Sequence, residues 1–151
     1  MSDDERENGV CFRCALPQDA ERIHEVNSAN FKKPFSLNTI IESVNADIVI
    51  VAADESDTVL GYIIGVKNYD VIDIISIAVD EKQKRRGIGM GLLREMIRLN
   101  GEFDFWLEVR ENNVPAIALY EKNGFRKVGL RKGFYAEYEP PVNAITMNYY
   151  K

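Results

Sequence analysis

The sequence predicts a single mixed α/β domain, and three observations carry that expectation. The chain of 151 residues is 46% hydrophobic and 28% charged, the composition of one globular domain that builds its own core. Short β-rich runs alternate with stretches of helical period, in the order strand, two helices, three strands, helix, strand, helix, two strands. One run, Val71 to Val79, is almost wholly apolar, as a central strand covered on both faces would be.

Residues 1–9 read as an acidic, flexible arm, and the folded domain spans 10–151. Val10 to Ala15 is a short strand. Leu16-Pro17-Gln18-Asp19 turns into a helix that places Ile23 and Val26 on one face. Lys32-Lys33-Pro34-Phe35 interrupts it. Ser36 caps a second helix carrying Ile40, Ile41 and Val44. Ile48 to Ala53 and Val59 to Val66 are strands joined by the acidic turn 54–57. After the apolar run, Leu92, Leu93, Met96 and Ile97 recur at helical spacing until Asn100-Gly101. Phe103 to Val109 is a strand. Asn112-Asn113-Val114-Pro115 starts the last helix with an amide cap and a first-turn proline, and Gly124 ends it. Phe125 to Leu130 and Ala144 to Tyr149 close the domain, joined by a long loop containing Pro140 and Pro141.

Charge and cysteine content exclude several classes. The balance of 24 acidic to 19 basic residues gives −5. Removing the first eight residues, with four acids and one base, leaves 20 against 18. The body is nearly neutral, so a nucleic-acid partner is not expected. No apolar run approaches the ~20 residues of a membrane span, and no signal segment opens the chain, so the expected location is the cytoplasm and no membrane partner is expected. Cys11 and Cys14 form a lone CxxC whose side chains, three apart on a strand, face opposite ways. With His24 the sole histidine, no metal site is expected.

Residues 71–91 carry the strongest chemical signal. They are a strand, a basic turn with Lys82, Lys84, Arg85 and Arg86, and a helix start with Gly87, Gly89 and Gly91. First-turn amides of a helix lack internal partners and, with the helix dipole, form an anion site. Glycines let a phosphate approach the backbone, so the ligand is expected to be polyanionic. No Gly-Lys-Ser/Thr follows, and the third glycine falls one place early for the dinucleotide fingerprint. A solvated basic turn on a core helix is the alternative.

Ile77-Ala78-Val79-Asp80 followed by Lys84-Arg85-Arg86-Gly87-Ile88-Gly89 resembles the acetyl-CoA motif of the GNAT acetyltransferase superfamily, with Lys84 where the family usually has Gln or Arg. Trp106 to Arg110, Asn113, Ala116 to Glu121 and Gly124-Phe125 resemble the RimI-type protein N-terminal acetyltransferases. Pro34-Phe35-Ser36 and Arg131 to Tyr135 match further segments of that group, whereas residues 136–143 depart from it. The resemblance implies the GNAT fold, a mostly antiparallel twisted sheet with a splayed central strand pair and helices on both faces. It implies acetyl-CoA as cosubstrate. Pantetheine would pair with Ile77, Ala78 and Val79. The pyrophosphate would sit on the amides of Arg85, Arg86, Gly87, Ile88, Gly89 and Met90, with Asn113 and Tyr120 completing the site. Glu108 is the implied general base and Tyr120 the implied general acid. Phe35 and Tyr135 are the implied acceptor entrance.

The residue pattern leaves alternatives beside these roles. On the strand 103–109, alternation puts Trp106, Glu108 and Arg110 on one face, where Glu108 could instead form a salt bridge with Arg110 or a neighbouring strand. Asp73, among apolar neighbours, is the rival base. Tyr120 on an amphipathic helix could be a core aromatic. Asn113 and Tyr120 lie seven residues apart, almost two turns, and so share a helix face.

The expected function is transfer of acetyl from acetyl-CoA to a protein N-terminal amine, a ribosomal protein among the acceptors that the resemblance brings. The rivals are acetylation of a small amine or a lysine side chain, and a non-catalytic acyl-CoA-binding module.

Overall fold

The computed structural model describes residues 9–151; the acidic arm, apart from Gly9, lies outside the described residues. Seven strands form one sheet: β1 (Cys11–Cys14), β2 (Ile48–Ala53), β3 (Val59–Asn68), β4 (Val71–Val79), β5 (Asp104–Arg110), β6 (Arg126–Tyr135) and β7 (Val142–Tyr149). The helices are α1 (Ala20–Asn30), α2 (Leu37–Ala46), α3 (Ile88–Leu99) and α4 (Val114–Lys122). Strand order is β1-β2-β3-β4-β5-β7-β6, antiparallel throughout except for the parallel pair β4–β5.

Local sequence explains the helix ends. The Ser36 hydroxyl accepts from the Thr39 amide at 3.1 Å and opens α2. The Asn113 side-chain Oδ1 accepts from the Ala116 amide at 3.2 Å and opens α4. Gly124, with φ +94°, ends α4 in a conformation that other residues resist.

Two apolar layers hold the helices to opposite faces. Ile88, Leu92, Leu93 and Met96 of α3 and Ile117 of α4 pack on Ile63, Ile72, Ile74, Phe105 and Leu107. On the other face, Ile23 and Val26 of α1 and Ile40 of α2 pack on Val49, Val51, Tyr62 and Ile64. The second layer covers only part of its face. Trp106 and Ile75 are each 43% exposed there, so β4 is covered on both faces only over part of its length.

A bulge explains how β4 serves both layers. Ile64 pairs with Ser76 and Gly65 with Ile74, leaving Ile75 unpaired. The extra residue reverses the parity: Ile72 and Ile74 face α3, whereas Ala78 faces α1. Beyond the bulge, β4 and β5 part company. They pair from Val71–Asp104 to Ile74–Leu107 and no further.

Strand β6 runs to Tyr135 instead of ending at Leu130, which shortens the expected long loop to residues 136–141. As an edge strand paired only with β7, it carries Arg131 and Lys132 in solvent on both sides, so its sequence lacks strand alternation.

Gly91 departs from its expected role beside a phosphate. A Cβ there would come within 2.2 Å of Cζ of Phe12, so this glycine seats α3 against β1. Gly91→Ala should therefore cost about 1–3 kcal/mol, the scale of overpacking, read as a lower melting midpoint. An unchanged midpoint would show that the Phe12 ring yields freely.

Candidate active site

Where β4 and β5 separate, a cleft of about 750 Å³ opens between the sheet, the start of α3, α4 and the α1–α2 loop. Its floor is the half of β4 released from β5, Ile75 to Val79. This strand keeps its pairing with β3 on one side, and its other edge is turned to the cleft.

The anion cradle lies at one end. Gly87 caps α3 with φ +74°, and no atom lies within 4 Å of where its Cβ would be. Arg85 shares the left-handed conformation at φ +71°, which a side chain adopts only under strain, and such strain gathers at functional loops. A loop in this form collects successive N–H groups around a concavity. The first intrahelical bond of α3, Gly91 N–H to Gly87 C=O at 3.0 Å, leaves the amides before it without helix partners. Lys84 lines the cleft and pairs with Glu81 at 2.8 Å. Arg86 is the member of the predicted cofactor set that does not line the cleft. Its guanidinium donates to Gln83 at 2.5 Å.

Two polar groups stand at the other end. Alternation on β5 buries Phe105, Leu107 and Val109 in the core and turns Glu108 to the opposite face, where it lines the cleft. Its carboxylate is held by β6 and β7: Arg131 donates to Oε1 at 2.9 Å and the Thr146 hydroxyl to Oε2 at 3.4 Å. The expected alternative of a salt bridge is thus present, through Arg131. Arg110 instead lies over the Tyr138 ring at 5.1 Å.

Tyr120 is 5% exposed on α4, with its ring against Phe125 at 5.8 Å. It is both a core aromatic and a cleft residue. Burial pushes its phenol well above the usual tyrosine range, and neighbouring Tyr135 adds to the shift. The group therefore keeps its proton further into the alkaline range than an exposed tyrosine does. Burial also raises Tyr135, helped by the negative charge of Glu108.

Phe35 and Tyr135, the residues expected at the acceptor entrance, both line the cleft. Tyr138, which no motif or spacing marks, lines the same cleft. Its ring receives Lys32 Nζ at 4.6 Å from the α1–α2 loop and Arg110 from β5, so it bridges the mouth of the cleft. Asp73 is not among the lining residues. It pairs in register with Trp106, on the still-joined part of β4 and β5. Cys11 is buried and Cys14 exposed, as their spacing requires, and the described residues contain no cluster of metal-binding side chains.

The sequence profile of the acetyltransferase (GNAT) family matches residues 16–125. The chain belongs to the GNAT acetyltransferase family. It is 32% identical over 155 aligned positions to an N-alpha-acetyltransferase of Saccharolobus solfataricus, covering 89% of this chain and 92% of the relative. It is 29% identical over 123 positions to a ribosomal protein bS18-alanine N-acetyltransferase of Haemophilus ducreyi, covering 80% and 85%. The crystal structure of the ribosomal-protein-S18-alanine N-acetyltransferase from Escherichia coli superposes with a TM-score of 0.86 at 25% identity, over 93% of this chain and 92% of that one.

GNAT acetyltransferases take their acetyl group from acetyl-CoA, and this cleft fits that molecule. The open space at Gly87 and the amide cradle suit a pyrophosphate. The unpaired edge of β4 offers backbone partners to an amide-containing arm.

Acetyl-CoA at about 100 times its dissociation constant should stabilise the fold by ~2.7 kcal/mol, measured as a rise in melting midpoint. Gly89→Asp should abolish that rise by placing a negative charge in the cradle. Its own fold should survive, because the new Cβ would meet Leu119 at an ordinary 3.7 Å. A melting curve unmoved by millimolar acetyl-CoA would contradict the assignment of the cradle.

Proposed function

We propose that this GNAT enzyme transfers acetyl from acetyl-CoA to the N-terminal α-amine of a protein. The observation that carries the proposal is the placement of a carboxylate, Glu108, and a buried, proton-retaining phenol, Tyr120, on one cleft with a walled acceptor mouth. When bound, acetyl-CoA supplies an activated thioester on which a neutral amine can act directly.

The chain's own residues then have separate tasks. Glu108 accepts the amine proton at Oε1 or Oε2, directly or through a water. Arg131 and Thr146 hold that carboxylate in place. Tyr120 donates its phenolic proton to the departing thiolate. Phe35 and Tyr135 crowd the acceptor, so small first residues such as Ser or Ala fit best. The relatives named for an alanine terminus support that choice.

Acid–base strength favours an α-amine over a lysine. An α-amine with pKa near 8 is about 10% neutral at pH 7, whereas a lysine amine near 10.4 is neutral in well under ~0.1%. A carboxylate is a mild base, and it suits the amine that needs the least help. A ribosomal-protein terminus is the first acceptor to try.

Glu108→Gln and Tyr120→Phe should each lower kcat by roughly 10²-fold or more, with acetyl-CoA affinity little changed. If Glu108→Gln keeps wild-type turnover while Asp73→Asn loses it, the base has been misassigned. Tight acetyl-CoA binding with no turnover on any amine would instead favour a binding module.

The pH dependence follows from the same groups. The rate should rise about tenfold per unit below pH ~8 as the α-amine loses its proton, then level off. No alkaline fall should set in before pH ~10, because Tyr120 holds its proton above the usual range. A kcat/KM profile that keeps rising towards pH ~10 would point to a lysine acceptor.

A further inference from the structure

We infer that Asn27 is a positioning residue for the acceptor site, the middle of a buried relay that fixes the acceptor loop relative to the cofactor strand; this rests on the proposed use of the cleft mouth for the acceptor. Asn27 is 2% exposed on α1, among the apolar side chains that pack α1 on the sheet. Both ends of its amide are used. Nδ2 donates to the Tyr62 hydroxyl at 2.8 Å, and Oδ1 accepts from the backbone N–H of Phe35 at 2.8 Å. The Tyr62 hydroxyl in turn shares a 2.7 Å hydrogen bond with Ser76 Oγ. Ser76 stands on β4 directly before Ile77, just past the bulge, and both Ser76 and Asn27 line the cleft. The relay thus runs from β4, through β3 and α1, to the residue that walls the acceptor mouth.

Its energetics point to a geometric role. Three buried polar groups at core positions are no gain over apolar packing by themselves. Fully satisfied, they permit one arrangement, because a displaced partner leaves another polar group buried without a bond. Phe35 sits in the stretch between α1 and α2, beside Pro34, with neither helix to hold its amide. The bond from its N–H to Asn27 fixes that stretch at the point where its ring meets the cleft. An independent pair of tethers secures the rest of α1 to the end of β4: Arg22 binds Asp80, and Asn30 Nδ2 donates to the Val79 carbonyl at 3.2 Å. Loss of Asn27 should therefore loosen the acceptor wall while leaving the cofactor strand in place.

The test compares wild type with Asn27→Ala and Tyr62→Phe, the second preserving the ring and the Asn27–Phe35 bond partner. Hydrogen exchange at the Phe35 amide should speed up about tenfold in Asn27→Ala and less in Tyr62→Phe, the scale of one buried hydrogen bond. KM for the acceptor that wild type turns over fastest should rise about tenfold in Asn27→Ala, with the acetyl-CoA Kd within twofold of wild type. Unchanged Phe35 exchange in both variants overturns the inference. So does an equal loss of acceptor and acetyl-CoA affinity, which would mark a general packing defect. If wild type prefers a lysine or a small amine to every peptide terminus, the proposed function fails, yet the exchange rate and the KM for that amine still decide the role of Asn27.

Discussion

Strands β4 and β5 share four paired residues and then separate, and the active-site architecture hangs on that separation. In a continuous sheet the backbone groups of β4 beyond Ile74 would be consumed by β5. Here one edge of Ile75 to Val79 is left for a ligand, and the gap becomes the cleft. The bulge at Ile75 bends β4 at the point of parting and reverses which face each side chain takes. Strand β3 keeps β4 in the sheet, and α1 holds its far end through Arg22 and Asn30, so the opening does not unravel the fold.

The same separation sets the chemistry. Released from β4, the end of β5 turns Glu108 to the cleft, while Leu107 and Val109 stay in the core. Pairing of β5 with β7, and of β7 with β6, brings Thr146 and Arg131 to the carboxylate. Helix α4 closes the gap from the opposite face, with Tyr120 buried so that its phenol is raised above the usual tyrosine range. The carboxylate and the phenol thus come from different elements, Glu108 held by Arg131 and Thr146 and Tyr120 packed on Phe125. The loops at the mouth meet over Tyr138, which joins the α1–α2 loop to β5 through Lys32 and Arg110.

Much of this was legible in the sequence. The apolar run of β4, the helical spacing of Leu92, Leu93, Met96 and Ile97, and the caps at Ser36 and Asn113 are local signals, and local hydrogen bonds make them true. The alternation of β5 located Glu108 on the right face. Other features depend on tertiary contacts that leave no local trace. Gly91 reads like the other glycines of its loop, yet a distant ring from β1 occupies its space. The extension of β6 was hidden because an edge strand need not alternate. Asn27 reads as an ordinary polar helix residue, and only the packed fold shows that both ends of its amide are engaged. Tyr138 lies in a loop without periodicity, so nothing in its spacing marks it as a bridge.

The proposed acceptor is a protein N-terminus with a small first residue. The most direct measurement is mass spectrometry of a peptide library with randomised N-termini and internal lysines after incubation with the enzyme and acetyl-CoA. Acetyl is expected on the α-amine, enriched in peptides that begin with Ser or Ala. Acetyl found on internal lysines, or spread equally over Ser-, Met- and Lys-initiated peptides, would contradict it.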